Sequence, residues 1–247
     1  MICVLAAGFH AQVKLSSADS QLTKHLLHKL FEIEPGFAKQ VTVVERLQGF
    51  DLVIATGSDN SSRYFEHYFG NKPHIIRKNR NSVAVLDGGE SPAELAALGH
   101  DIFDYFGLGG RNVSKVYLPE GYAIATFFEG IASFQKVLDH HKYANNYDYN
   151  KSIYLINGDT HWDNGFVLLK PDTRIASPLA VLYSEEYSDK QALVQRLDAD
   201  AGLLQCVVSR QGLPTSVPVF PFGYSQTPEL DDYADGVNTL DFLAQHR

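Results

Sequence analysis

Gly107, Gly109 and Gly110 crowd three glycines into four positions, with Arg111 and Asn112 directly behind them. Glycine lets a backbone adopt positive φ and approach another group closely, so such a turn can present a nucleophile or a row of N–H donors. The same pattern also marks a plain helix C-cap followed by a loop. A second stretch, Thr56-Gly-Ser-Asp-Asn-Ser-Ser62, places small polar residues between an apolar run and a helical one. A strand that ends at a helix N-terminus offers free N–H groups to an anion or a ribose phosphate. Neither a full GxGxxG nor a Walker sequence is present, and a helix N-cap without a ligand reads the same way. Arg77, Lys78 and Arg80 form the densest positive cluster, suited either to the phosphates of a nucleotide or coenzyme or to a solvated turn. His140 and His141 are adjacent and cannot share a helix face, and no cysteine or second spaced histidine completes a metal set. No metal is expected. Residues 139–149 read instead as a buried polar network or a substrate-contacting loop. Cys206, in the apolar run 203–209, reads as an inert core thiol.

The elements that must position these residues follow from periodicity. Residues 11–15, 40–45 and 51–55 read as strands, the last apolar throughout as for a parallel strand covered on both faces. Between the first two, Leu22, Leu26, Leu27, Leu30 and Phe31 repeat at helical spacing behind the N-cap candidates Ser16, Ser17, Asp19 and Ser20, and Glu34-Pro-Gly36 stops the helix. A helix over 63–69 leads to two more apolar strands, one starting at His74 and one over 82–86. Ser91-Pro-Ala-Glu94 is a capping box with proline at the first helical position. Leu95, Leu98, Ile102, Phe103 and Phe106 then share a face, and this helix delivers the chain into the glycine turn. Residues 113–118 leave the turn as a strand. Beyond it, 122–138 read as a helix, 152–156, 166–169 and 179–182 as strands, 189–197 as a helix and 203–209 as a buried strand. The tail from Phe222 is rich in Gly and Asp and ends in a short amphipathic turn.

Composition narrows the class. The chain has 247 residues, 45% of them hydrophobic and 20% charged, enough for one large or two small domains with a sizeable core. A net charge of −8 argues against general nucleic-acid binding. No apolar run reaches the roughly 18 residues that span a bilayer. Two cysteines, Cys3 and Cys206, are too few for a disulfide framework and suit a reducing cytoplasm. Met1-Ile-Cys-Val-Leu-Ala-Ala-Gly8 reads as the last two turns of a buried helix without its beginning, so a truncated chain is expected.

Several of these pieces occur in one order: Val13-Lys-Leu-Ser-Ser17, Val53-Ile-Ala-Thr-Gly-Ser58, the glycine turn, Ser177-Pro-Leu-Ala-Val181 and Pro221-Phe-Gly223. That order resembles the aldehyde dehydrogenase superfamily. More closely, the chain is similar to the acyl-CoA reductase (LuxC-like) family, through His74-Ile-Ile-Arg-Lys-Asn-Arg-Asn-Ser-Val-Ala-Val-Leu86 and Arg111-Asn-Val-Ser-Lys115. The stretch His140-His-Lys-Tyr-Ala-Asn-Asn-Tyr-Asp-Tyr-Asn150 and Tyr233-Ala-Asp-Gly-Val237 carry the same likeness. The resemblance covers essentially the whole chain, with the family's first third absent before Met1. It implies an α/β, aldehyde dehydrogenase-like fold: a truncated parallel-sheet dinucleotide-binding domain over 1–80 and an α/β catalytic-type domain over 81–247, whose tail returns towards the cofactor domain.

The resemblance also implies NADPH-dependent reduction of a long-chain acyl thioester, on CoA or on a protein, to an aldehyde. In the family an enzyme cysteine takes the acyl group, and hydride from the nicotinamide then releases the aldehyde. Lys14 matches the lysine that contacts the adenine-side ribose or its 2′-phosphate, and Ser16 lies in the same turn. Thr56, Gly57 and Ser58 match the motif near the cofactor phosphates and nicotinamide. The family turn reads Gly-Leu-Gly-Cys-Arg-Asn, and Gly110 stands at its nucleophile position. The superfamily's ribose-contacting glutamate aligns near Arg174. Glycine can neither attack a thioester nor leave from one, so little or no reductase activity is expected. The alternatives are an inactive nucleotide- or acyl-binding subunit, in a homo- or hetero-oligomer, and a non-functional fragment.

Overall fold

The computed structural model describes residues 1–16, 20–57 and 59–247. They form two compact units, residues 1–78 with 230–247 and residues 79–229.

The first unit opens with a short helix, α1 (Ile2–Ala6), and a short strand, β1 (Ala11–Val13). Only Leu5 of α1 is buried and Cys3 and Val4 are half-buried, so the apolar start is one short, partly covered helix and not two turns of a buried one. Helix α2 (Gln21–Ile33) takes Ser20 as its N-cap without a side-chain bond, while Ser17 and Asp19 lie outside the described residues. Its spacing is helical, but its apolar face is not covered as expected: Leu27 is buried, whereas Leu22 and Leu26 are exposed. Glu34 ends α2, and its carboxylate accepts the Gly36 N–H. Strand β2 (Val41–Val43) pairs in parallel with β1. Strand β3 (Val53–Thr56), helix α3 (Asp59–Phe69) and strand β4 (His74–Arg77) make a β-α-β unit with parallel pairing. Helix α3 starts at Asp59 rather than Arg63, and of β3 only Val53 is buried, so the strand is not covered on both faces.

The second unit is built on one sheet. Strand β5 (Asn81–Val85) leads to α4 (Pro92–Phe103), then β6 (Val113–Pro119) and α5 (Ile124–Gly130). A 3-10 segment, Ala132–Asp139, precedes α6 (His141–Asn157). Strands β7 (Trp162–Asp163), β8 (Leu168–Pro171) and β9 (Val181–Tyr187) follow, then α7 (Lys190–Ala199), β10 (Leu204–Ser209) and β11 (Val219–Phe220). The seven-stranded order is β11-β10-β5-β6-β9-β8-β7. All pairs are parallel except β7 with β8. Parallel strands need both faces covered, and alternate residues supply two cores. Ala84, Leu86, Val116 and Leu118 face Leu95, Leu98 and Ile102 of α4 and Phe127 of α5. Val83, Val85 and Tyr117 point the other way, onto Leu193, Val194 and Leu197 of α7. The chain then returns to the first unit as α8 (Thr239–Ala244).

In the second unit two segments differ from the sequence expectation. The helix expected over 122–138 is α5 followed by a 3-10 segment. Residues 141–149 and the strand expected over 152–156 fall together in α6, which is capped by His140 and stops at Gly158 with φ 69°. Its buried face is made of Tyr143, Tyr147, Asn150 and Tyr154, a helical spacing carried by polar-tipped residues that an apolar pattern does not register. The Tyr143 hydroxyl donates to the Phe166 carbonyl at 3.1 Å, Tyr147 to Asp163 Oδ1 at 2.7 Å, and Asn150 Nδ2 to the Leu179 carbonyl at 2.9 Å. This is the buried polar network of the two readings offered for the segment.

Candidate active site

Helix α4 aims the chain at the glycine turn. Its start is fixed by the capping box: Ser91 Oγ accepts the Glu94 N–H at 3.3 Å and Glu94 Oε2 accepts the Ser91 N–H at 2.8 Å. At its end Tyr105 (φ 55°), Phe106 (φ 59°) and Gly107 (φ 68°) are left-handed in succession, which reverses the chain towards β6. For the two aromatic residues this conformation costs roughly 1 kcal/mol or more each and persists only where the surroundings impose it. Phe106 is held by stacking on His140, with ring centroids 4.1 Å apart and 17° between planes. The histidine in turn accepts the Tyr143 N–H at Nδ1 and so caps α6.

Asn112 locks the turn from inside. It is buried, and its Nδ2 is shared among the carbonyls of Asp101, Ile102 and Asp104 at 3.1, 3.2 and 3.0 Å. Its Oδ1 accepts the Gly109 N–H at 2.7 Å. The carboxamide thus satisfies the open carbonyls at the end of α4 and the first amide of the turn together. A Cβ on Gly109 would lie 3.0 Å from that Oδ1, so the backbone has little room for one there. Gly110 differs. It is exposed, its φ is outside the left-handed region, and a Cβ there would meet only the Arg80 carbonyl at 3.9 Å. Its conformation and space accept a side chain. The Gly110 and Arg111 N–H groups have no acceptor among the described residues. The turn can bind an oxygen or an anion, but it holds no nucleophile.

A second segment is clamped onto the turn. Asp101, with no exposed surface, accepts the Gly223 N–H at 2.6 Å and the Ser225 N–H and hydroxyl at 2.9 and 2.7 Å. Burial pushes its carboxyl above the ordinary carboxylate range, and those hydrogen bonds offset the rise only in part. Arg111 Nη1 donates to the Ser225 carbonyl at 3.5 Å, and the guanidinium lies 5.7 Å from the centre of the Phe220 ring. Sequence reasoning missed this clamp. The available signal was a charged residue, Asp101, placed between Leu98 and Ile102 on the apolar face of α4. Next to the turn, Phe103, Phe106, Phe134 and Val137 line a shallow depression of about 230 Å³ with Ser133 and Lys136 at its rim. Cys206 is no replacement nucleophile: it is buried against Ser82 Oγ at 3.1 Å, and burial pushes its thiol up, away from the reactive thiolate.

The residues matched to the cofactor lie in the first unit, and Gly110 in the second. Lys14 and Ser16 follow β1 and are exposed; Thr56 and Gly57 close β3 in the other two-stranded sheet; Ser58 lies outside the described residues. A Cβ on Gly57 would stand 2.8 Å from Ser61 Cβ and 2.9 Å from the Phe65 ring, so this strand end packs directly on α3 only as glycine. Lys14 follows β1, and Thr56 and Gly57 end β3, so the residues matched to the cofactor stand at the ends of strands of two separate sheets. The basic corner is partly committed to the protein itself: Lys78 pairs with Glu66 at 2.8 Å and Arg77 Nη2 donates to Thr239 Oγ1 at 3.1 Å. Arg174, near the position of the superfamily's ribose-contacting glutamate, is occupied by Asp172 at 2.6 Å. Among the described residues no group of three or more His, Cys, Asp or Glu side chains is placed to hold a metal, and no helix is long and apolar enough to cross a membrane.

No protein-family model and no curated protein matches the chain. Solved structures do. The Delta-pyrroline-5-carboxylate dehydrogenase of Mycobacterium tuberculosis bound with NAD superposes with a TM-score of 0.58 and 17% identity, over 95% of this chain and 57% of that one. An indole-3-acetaldehyde dehydrogenase of P. syringae in complex with NAD+ and IAA gives 0.63 and 12%, over 84% and 51%. A bifunctional proline utilization A protein gives 0.65 and 12%, over 84% of this chain and 25% of that one. At such identities the likeness is one of fold: the chain has the aldehyde dehydrogenase fold. It spans about half the length of the two dehydrogenases and a quarter of the third protein.

Proposed function

We propose that the chain is an oxidoreductase-type protein of the acyl-CoA reductase (LuxC-like) kind, which binds NADPH and a long-chain acyl thioester but lacks the thioester-reducing step. The observation that carries this reading is the turn itself. Its frame is intact, locked by Asn112 and clamped through Asp101 and Arg111, while the position that would hold the nucleophile is Gly110. Lys14 would pair with the ribose-side phosphate, and the β3–α3 junction at Thr56 and Gly57 would face the remaining phosphates. NADPH, when bound, supplies the reducing electrons. The turn amides would hold the thioester oxygen, and the apolar depression beside Phe106 would take part of the acyl chain. Acyl transfer needs a thiolate that bonds to the carbonyl carbon and expels the CoA thiolate, and glycine has no atom for either role. Two unpaired cysteines support a cytoplasmic setting.

The test follows NADPH consumption and intact mass with dodecanoyl-CoA. The chain as it stands should show neither turnover nor acylation, and Gly110→Cys should gain one dodecanoyl group, removable by hydroxylamine. Robust turnover by the unaltered chain would overturn the inactivity. A chain without the reducing step would act as an inactive binding subunit, and calorimetric titration with NADPH distinguishes it from a non-functional fragment, because binding without turnover requires a formed site.

A further inference from the structure

Phe106 is a large aromatic residue that stays 43% exposed although its φ of 59° is strained. Strain of this kind gathers at ligand clamps and switch regions, where the surroundings impose it. Here it lays the ring on His140 and makes it one wall of the open depression beside the turn, whose other apolar walls are Phe103, Phe134 and Val137. Those walls are fixed before any ligand arrives. Phe134 stacks on Phe103, with ring centroids 5.4 Å apart and 28° between planes, and meets the His100 ring edge-on at 4.9 Å. It also packs onto α4 at Gly99, where a Cβ would overlap its ring. Phe103 and Val137 are themselves buried. A preformed apolar surface takes an alkyl chain with little further ordering of the protein.

The size of the depression sets a limit. An apolar cavity of roughly 150 Å³ takes benzene, so a volume of about 230 Å³ matches about nine carbons. Past them the rim residues Ser133 and Lys136, both exposed, replace phenyl rings by polar groups, and further carbons gain no apolar cover. We propose that this depression is the acyl subsite of the glycine turn and acts as a length gauge. It holds the acyl chain up to about nine carbons and is indifferent to the rest, and Phe106 is the specificity-determining residue. This rests on the acyl thioester reading above.

The probes are CoA, acetyl-CoA and the butanoyl to tetradecanoyl esters of CoA, titrated calorimetrically into the full chain. Each added methylene should tighten binding about fourfold as far as octanoyl-CoA, and affinity should be level from decanoyl-CoA onward. Two variants place the effect. Phe106→Gly removes one wall and suits the left-handed backbone; octanoyl-CoA should bind it about tenfold more weakly, while acetyl-CoA binds both proteins equally. Ser133→Trp, at an exposed rim position, puts an indole over the mouth of the depression and should flatten the chain-length series. Affinity that climbs undiminished to tetradecanoyl-CoA, or a series that neither variant alters, overturns the gauge and leaves the acyl thioester reading standing. Esters of every length that bind no better than CoA itself overturn both.

Discussion

Asp101 carries a carboxyl into a position with no exposed surface, and the consequence can be read in its titration. Burial is the largest influence and raises its pKa; hydrogen bonds from Gly223 and Ser225 oppose it, and the nearby Asp104 charge adds to the rise. With the folded-state value above the unfolded one, the folded chain binds the proton more readily across the interval between them. The stability contributed is complete below the unfolded value near 4 and is lost as pH rises through the higher folded value. Carbon-detected NMR of the Asp101 carboxyl should report a pKa above that of an ordinary aspartate. An ordinary or lower value would mean that the three hydrogen bonds outweigh burial. The chemistry of single residues was only partly legible in the sequence. Gly110 drew attention only through the resemblance of its neighbours to an acyl-CoA reductase string, in which a cysteine stands at that position. Asp101 was signalled only by its charge on the apolar face of α4, and its partners Gly223 and Ser225 not at all, because nothing in a linear pattern shows that residues more than a hundred positions apart meet.

At the scale of elements, the turn is a device made from the end of α4, three left-handed residues and one asparagine. Asn112 joins these parts, so its removal should be felt well beyond one contact. Asn112→Ala leaves the carbonyls of Asp101, Ile102 and Asp104 and the Gly109 amide without their partner. The expected loss is about 2–3 kcal/mol of stability in urea denaturation, in the range for buried polar groups left unmet. Gly110→Cys should change stability by less than about 0.5 kcal/mol, as its site is exposed and open. A small effect for Asn112→Ala would show that the left-handed residues hold themselves. Element signals differed in legibility for physical reasons. The Ser91–Glu94 capping box is a local pattern with its own hydrogen bonds, and it was found where expected. Helix α6 was missed because its buried face is made of tyrosines and an asparagine, whose apolar bodies are hidden behind polar tips. The exposed Leu22 and Leu26 of α2 show the converse, an amphipathic pattern that fixes the helix but not its cover.

At the scale of the whole molecule, the α/β class was expected from the resemblance to aldehyde dehydrogenases, and the mostly parallel sheet and the likeness in fold to solved dehydrogenases agree with it. What a linear pattern could not give is which strands share a sheet, since that depends on long-range pairing. Both principal cores, which cover the two faces of the seven-stranded sheet, lie within residues 79–229. The first unit is discontinuous: residues 1–78 are completed by 230–247. Within it α8 buries Leu243 completely, packs against α1 and supplies Thr239 to the Arg77 guanidinium. Deleting residues 230–247 would remove a buried leucine, worth about 2 kcal/mol, and would leave Arg77 without its hydroxyl partner. Hydrogen exchange followed by mass spectrometry should then show faster exchange in α1 and β4, while β5, β6 and β10 keep their protection, because their cores are intact. Equal loss of protection in both units would show that the chain unfolds as one cooperative body, and the C-terminal segment would then be part of a single core and not the closing piece of the first unit.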